Sequence, residues 1–141
     1  MIERIKRRVI RAESGCLEWT GATAGRGYGV IGDEDRRMCY VHRAMYEYHR
    51  EPIPDGKVID HLCRNIVCCE PEHLEVVDTR TNLLRGIGPT AINAAKTHCP
   101  QGHMYDKANT YWETATGGRH CRQCGAIRAR DRRARSKEAR K

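Results

Sequence analysis

The sequence predicts an α+β fold: a small antiparallel sheet, then a strand, long loop, strand and helix, then a compact Cys/His module and a basic tail. Three observations predict it. Short β-branched and aromatic stretches alternate with Gly/Asp turns between residues 14 and 40. Eight cysteines and seven histidines include two sets with regular spacing. Finally, a hydrophobic content of 39%, no phenylalanine and a mean hydropathy of −0.75 leave little apolar area per residue for folding. Something besides a core must staple the chain. With 141 residues there is room for one compact domain, an appendage and one active site.

Residues 1–13 read as a basic N-terminal segment, carrying Arg4, Lys6, Arg7, Arg8 and Arg11 and no apolar run resembling a signal peptide. No stretch approaches the roughly 20 apolar residues of a membrane span. The expected setting is a reducing cytosol, where thiols more often bind metal than cross-link. Residues 14–86 form the main domain. In it Cys16 to Thr20, Tyr28 to Ile31 and Arg36 to Tyr40 read as strands, with turns at Gly21 to Gly27 and Gly32 to Asp35. Val41, Ala44, Met45 and Tyr48 recur at three and four, which predicts an amphipathic helix to about Arg50, stopped by Pro52 and Pro54. Lys57 to His61 and Leu74 to Val77 read as strands, and Thr79 as the N-cap of a helix closed by Gly86. Residues 87–97 are a linker with a short helix at Ala91 to Lys96, and residues 98–125 a second module with a hairpin through Asn109 to Trp112 and Gly117-Gly118.

The tail, residues 126–141, carries most of the charge. From residue 125 onward Arg128, Arg130, Arg132, Arg133, Arg135, Lys137, Arg140 and Lys141 face only Asp131 and Glu138, which accounts for +6 of the formal +8. Such a run suits a phosphate-binding arm, because each neutralised phosphate releases counterions; a solvated, partly disordered tail is the alternative.

In the C-terminal module Cys99-x3-His103 is followed, eighteen residues on, by Cys121-x2-Cys124. Two donors from each of two tight turns make the tetrahedral set that structural zinc prefers, and give the module its zinc-ribbon-like character. A second set, Cys63-x4-Cys68-x4-His73, offers three donors and needs a fourth. Cys69 would point away if its neighbour Cys68 binds, and Cys39 lies in a strand without a turn. Cys16 follows the flexible Ser14-Gly15 and is the preferred donor, with Cys39 the competing choice.

Asp60-His61 ends the strand before this loop, and Asn82 lies one turn into the helix after it. Cleaving a phosphodiester needs a base for water and a cation near the leaving oxygen. A neutral imidazole suits the first task near pH 7, and an oxygen donor such as Asn or Asp suits hard Mg²⁺ or Mn²⁺. A zinc ion gripping Cys63 would lock His61 in place without entering the chemistry. By spacing alone, a His and an Asn 21 residues apart prove little.

The run Asp60-His61-Leu62-Cys63-Arg64-Asn65-Ile66-Val67-Cys68, then Pro71-Glu72-His73-Leu74-Glu75, then Asn82 resembles the ββα-metal core of HNH, or His-Me finger, endonucleases. It is similar in particular to phage-encoded HNH enzymes and to His-Cys box homing endonucleases. Gly15-Cys16 to Trp19-Thr20-Gly21, Gly27-Tyr28-Gly29, His42-Arg43 and Cys99-Pro100-x-Gly102-His103 also resemble the phage group, so the likeness covers roughly residues 14–125. The resemblance implies that His61 is the general base, that Asn82 holds the catalytic Mg²⁺, and that Cys63, Cys68 and His73 bind structural zinc. Asp60 matches a second metal ligand of some members. His73 stands where the strict pattern has Asn, a departure that a zinc-ligand role explains.

Together these readings imply a metal-dependent endonuclease acting on double-stranded DNA in a phage or bacterial cytosol, with two structural zinc ions, by nicking or by double-strand cleavage. A double-strand break would need a homodimer or two encounters. Arg43, or else His42, is expected at the scissile phosphate, and Arg26, Arg36 and Arg37 at a DNA groove. The rival readings are a zinc-stabilised DNA-binding protein without catalysis and an RNA-processing nuclease; the first leaves Asp60, His61 and Asn82 without a purpose.

Overall fold

The computed structural model describes residues 1–140; Lys141, counted in the tail above, lies outside the described residues. The chain divides into two compact units, one over Met1–Gly86 and one from Ile87 onward. The architecture mixes helices with small antiparallel sheets, and no helix is long and apolar enough to cross a membrane.

The first unit opens with helix α1 (Ile2–Lys6) and strand β1 (Val9–Arg11). Among the charges of residues 1–13 sit the apolar residues that dock them. Ile5 is fully buried in a core with Trp19, Ile31, Val41, Ala44, Met45 and Cys69, and Ile2 and Val9 pack against it. β1 pairs with β2 (Leu17–Trp19) in a two-stranded sheet, Val9 opposite Trp19. The sheet expected over residues 14–40 is therefore two sheets. The second is three-stranded, ordered β3 (Thr23–Ala24), β4 (Tyr28–Gly32), β5 (Met38–Tyr40). β3 falls inside the stretch expected to be a turn. β5 starts later than expected because Arg36 takes a positive φ of 63°, in a turn closed by Asp33 Oδ1 accepting from the Arg37 N–H at 2.8 Å.

Trp19 organises this half. Its indole lies against the backbone of Gly21 and Gly29, where a Cβ would sit 2.3 and 2.6 Å from ring atoms, and its Nε1–H donates to the Ala22 carbonyl at 2.8 Å. Only glycine admits the ring at both places. Helix α2 (Val41–His49) follows β5 directly and buries Val41, Ala44 and Met45 of its apolar period together with His42, while Tyr48, the fourth residue of that period, is exposed.

β6 (Lys57–His61) and β7 (Leu74–Asp78) pair antiparallel over five positions, from Lys57 opposite Asp78 to His61 opposite Leu74. Helix α3 (Thr79–Arg85) follows and packs on both strands. Its N-cap is Asp78, not Thr79: the Asp78 carboxylate accepts from the Thr81 N–H at 2.8 Å, which places Thr79 at the first helical position. The loop between the strands closes with a 3₁₀ turn at Pro71–His73. It is zipped onto β2, since the Trp19 N–H donates to the Val67 carbonyl at 2.9 Å, the Cys69 N–H to Leu17 at 2.8 Å, and the Asn65 side chain to Glu18 at 2.7 Å.

The second unit begins with helix α4 (Pro89–Ala95), which has proline at its first turn and so starts earlier than Ala91. The hairpin of β8 (Thr110–Trp112) and β9 (Arg119–Cys121) leads into helix α5 (Arg122–Glu138). α5 begins at Arg122, inside the second module, and runs 17 residues through most of the basic tail.

Candidate metal centres and active site

The zipping of the loop onto β2 delivers Cys16, one residue before that strand, to the loop's own donors. Cys16, Cys63, Cys68 and His73 each present a ligand atom, all lying within 4.8 Å of one another. Cys16 Sγ is 3.5 Å and Cys68 Sγ 3.6 Å from His73 Nδ1. Gly15 lets the chain turn into this cluster at a positive φ of 81°. Cys39 lies instead near the Asp33 carboxylate, and Cys69 is buried in the core with its thiol on the Leu17 carbonyl.

In the second unit Cys99, His103, Cys121 and Cys124 form an equivalent group. Cys99 Sγ lies 3.5 Å from His103 Nδ1 and 3.6 Å from Cys124 Sγ, and Cys121 Sγ lies 3.7 Å from His103 Nδ1. Tetrahedral zinc, with Zn–S of ~2.3 Å and Zn–N of ~2.0–2.1 Å, separates its donors by roughly 3.6–3.8 Å. Both clusters lie close to that spacing, though His103 Nδ1 and Cys124 Sγ sit nearer at 3.2 Å, and both have that donor chemistry, so each could hold a zinc ion.

The thiols lean the same way. Burial pushes the Cys68 thiol up to about 12, while Cys16, hydrogen-bonded by Ser14, is lowered to about 7. Burial likewise raises Cys124 to about 11. At Cys121 burial acts upward, but the Cys124 N–H and the Asn109 side chain outweigh it and hold the thiol at about 6. Each cluster thus holds one thiol shifted down and one shifted up.

His61 ends β6 with 5% of its surface exposed. Its Nε2 lies 3.2 Å from the Cys68 carbonyl, which can only accept, so Nε2 carries the proton and Nδ1 is the basic nitrogen. Burial lowers its pKa, against the opposing pull of Cys68 and Asp60, and keeps the ring neutral. The ring meets His42 edge to face, centroids 4.9 Å apart, with Tyr28 at 5.9 Å.

Asp60 is 2% exposed, and its two oxygens are engaged by Arg64 at 2.8 Å and Arg85 at 3.4 Å. Arg85 also pairs with Glu75. Asn82 is half-buried on α3, three residues before Arg85, so the helix turns both side chains to one face. Arg64 takes a positive φ of 60° inside the loop, a conformation uncommon for a residue other than glycine.

His42 is a buried neighbour of His61 rather than a surface group. Burial, then His61 and Arg43, push its pKa down to about 3, and its Nδ1 has no hydrogen-bond partner. Arg43 is half-buried, while Arg26, Arg36 and Arg37 are exposed. The arginine clamp on Asp60 and the packing of His42 on His61 went unseen in the sequence. The only trace of the first is Arg64 four residues after Asp60; the pairing with Arg85 depends on α3 folding back over β6.

Residues 39–84 match the model of a family described as HNH endonuclease. Among curated proteins, the chain is 37% identical over 97 residues to Protein 2.8 of Escherichia phage T7, covering 68% of this chain and 63% of that protein. It is 46% identical over 51 residues to an uncharacterized gene 5.3 protein of Enterobacteria phage T3, covering 36% of this chain and 50% of the relative. Protein 7.7 of Escherichia phage T7 is 36% identical over 70 residues, 48% of this chain and 51% of its own length. The chain thus spans between half and just under two thirds of these relatives. No solved structure matches. The matched segment runs from β5 to α3 and includes both His61 and Asn82, so over residues 39–84 this chain is similar to the HNH endonuclease family.

Proposed function

We propose that the protein is a metal-dependent DNA endonuclease with His61 as general base and Asn82 as the cation ligand, in a ββα-metal core formed by β6, β7 and α3. The observation that carries this reading is the contact of His61 Nε2 with the Cys68 carbonyl at 3.2 Å, which fixes the tautomer. Nε2–H rests on the Cys68 carbonyl, burial keeps the ring neutral, and Nδ1 is left as the base, all within the family-matched segment.

Nδ1 takes a proton from water, and the resulting imidazolium is stabilised through Nε2–H on Cys68 and by the neighbouring Asp60 carboxylate. The hydroxide attacks phosphorus in line, and the 3′ oxygen departs, leaving 5′-phosphate and 3′-hydroxyl ends. Zinc at Cys16, Cys63, Cys68 and His73 would fix the loop that supplies the Cys68 carbonyl, so its role is positional.

A hard divalent cation fits oxygen donors on the α3 face that carries Asn82, with Asp60 as second donor once a guanidinium yields its place. Bound there, Mg²⁺ or Mn²⁺ would offset the charge developing on the phosphate and the leaving oxygen. Arg43 or His42 at the scissile phosphate remains a subsidiary proposal. Of the two, His42 is the one packed on His61. The match to an HNH endonuclease family supports DNA as the substrate, and the phage origin of the relatives is in keeping with action inside a host cell.

The test offers supercoiled plasmid and labelled RNA side by side to the zinc-loaded protein with Mg²⁺, and maps the product ends. Cleavage of the plasmid alone, with 5′-phosphate ends, is expected. Retention of the plasmid without cutting would favour a binding protein, and cutting of RNA alone would overturn the substrate assignment.

A further inference from the structure

Helix α5 has a charge layout that neither the cleavage chemistry nor zinc binding explains. It carries seven basic residues against two acidic ones, and Cys124 is its only buried residue. Among the described residues, the one ion pair within the helix is Arg130 with the adjacent Asp131, at 3.7 Å. The helix holds Arg128/Arg132 and Arg133/Lys137 four apart, and Arg130/Arg133 and Arg132/Arg135 three apart. Like charges at these spacings repel, so α5 is a helix built against its own electrostatics.

The arrangement around the axis is more specific than the excess. At about 100° per residue, Arg128, Arg132 and Arg135 form one stripe, and Arg130, Arg133 and Lys137 form another on nearly the opposite side. Of the two faces between them, one carries Ile127, Asp131, Glu138 and, toward the metal cluster, Cys124. The other carries Gly125, Ala129 and Ser136, with Arg122 at its N-terminal end. A simple solvated tail has no reason to put both acids on the cluster side with a row of cations along each flank.

That layout is the complement of a groove with two anionic walls. We infer that α5 lies in the major groove of duplex DNA, its two basic stripes against the two phosphate backbones and its Gly125, Ala129 and Ser136 face toward the base edges. The B-form major groove, about 12 Å wide, admits an α-helix, whereas the deep, narrow major groove of A-form RNA does not. The second Cys/His cluster sets the start of this helix: Cys121 is the N-cap, its Sγ accepting from the Cys124 N–H at 3.4 Å, and Cys124 lies in the first turn. Metal there would hold the N-terminal end of α5 while phosphates cancel the repulsion along the rest. This inference rests on duplex DNA being the partner proposed above, and not on any role in cleavage.

The test measures binding of the full-length, zinc-loaded chain, carrying His61→Ala and without Mg²⁺, to a DNA duplex and to an RNA duplex by fluorescence anisotropy across a salt series. Removing one stripe (R128Q/R132Q/R135Q) or the other (R130Q/R133Q/K137Q) is expected to lower the slope of log K against log salt by about 2.7, roughly 0.9 for each of three phosphates. Affinity at ~0.1 M salt should fall at least about tenfold. Ala129→Leu with Ser136→Leu keeps every charge and good helix propensity; it is expected to weaken DNA binding without changing the slope. Zinc content and circular dichroism verify that each variant folds. If the leucine variant binds like the parent, or if RNA binds as tightly as DNA, groove insertion is overturned and α5 is an electrostatic tail. If neither stripe changes the slope, α5 does not touch DNA. A parent that binds no duplex at all would overturn the partner reading itself.

Discussion

His42 shows how a single side chain records its surroundings. It is 8% exposed, and burial, with His61 and Arg43 beside it, holds its pKa at about 3, well below the ordinary histidine value. The folded state therefore resists a proton that the unfolded chain accepts near pH 6.5. The stability tied to a neutral His42 is complete above about pH 6.5 and is lost as pH falls toward 3, at about 1.4 kcal/mol per unit. Replacing it with phenylalanine should flatten the pH dependence of urea stability between pH 7 and 5.5; equal slopes in parent and variant would refute the assignment. Trp19 gives a second prediction at this scale. Gly29→Ala puts a Cβ 2.6 Å from the indole, so it should cost about 1–3 kcal/mol, read as a lowered midpoint in thermal or urea unfolding. Neither environment could be read from the sequence, because the burial of His42 depends on Tyr28 of β4 and His61 of β6 packing against helix α2.

Among the elements, legibility followed how local the determining physics was. Helix α2, strands β6 and β7 and the β8–β9 hairpin declare themselves by periodicity and turn residues within the element, and they form close to where expected. β1 hides in a charged segment because its worth lies in pairing with β2 and covering Ile5, contacts made across the fold. The Asp78 cap was a matter of one residue: aspartate and threonine both cap well, and the carboxylate of Asp78 reaches the Thr81 N–H. The second metal group was complete in spacing. The first offered three donors and a choice of fourths, and the backbone bonds between β2 and the loop put Cys16 with them. Metal analysis checks this: Cys39→Ser should retain two zinc ions per chain, and Cys16→Ser should keep the second site while weakening the first. Cys16→Ser binding two ions as tightly as the parent, with Cys39→Ser losing one, would reverse the choice.

Across the whole molecule, a chain poor in apolar residues forms two units, each containing a four-donor Cys/His cluster in place of a larger core. Composition announced that need, and cysteine spacing announced where it would be met. The sidedness of the tail was not legible as a string of arginines, because only the helical period sorts it into two stripes. In the first unit one cluster, one carbonyl and one strand end converge on His61, and the proposed chemistry depends on that convergence. The most direct test is the single-turnover rate of plasmid cleavage by zinc-loaded parent and His61→Ala proteins under saturating Mg²⁺. The account predicts a loss of about 10²–10⁴-fold with both zinc ions retained and duplex binding intact. A His61→Ala protein that cuts at the parental rate would contradict it.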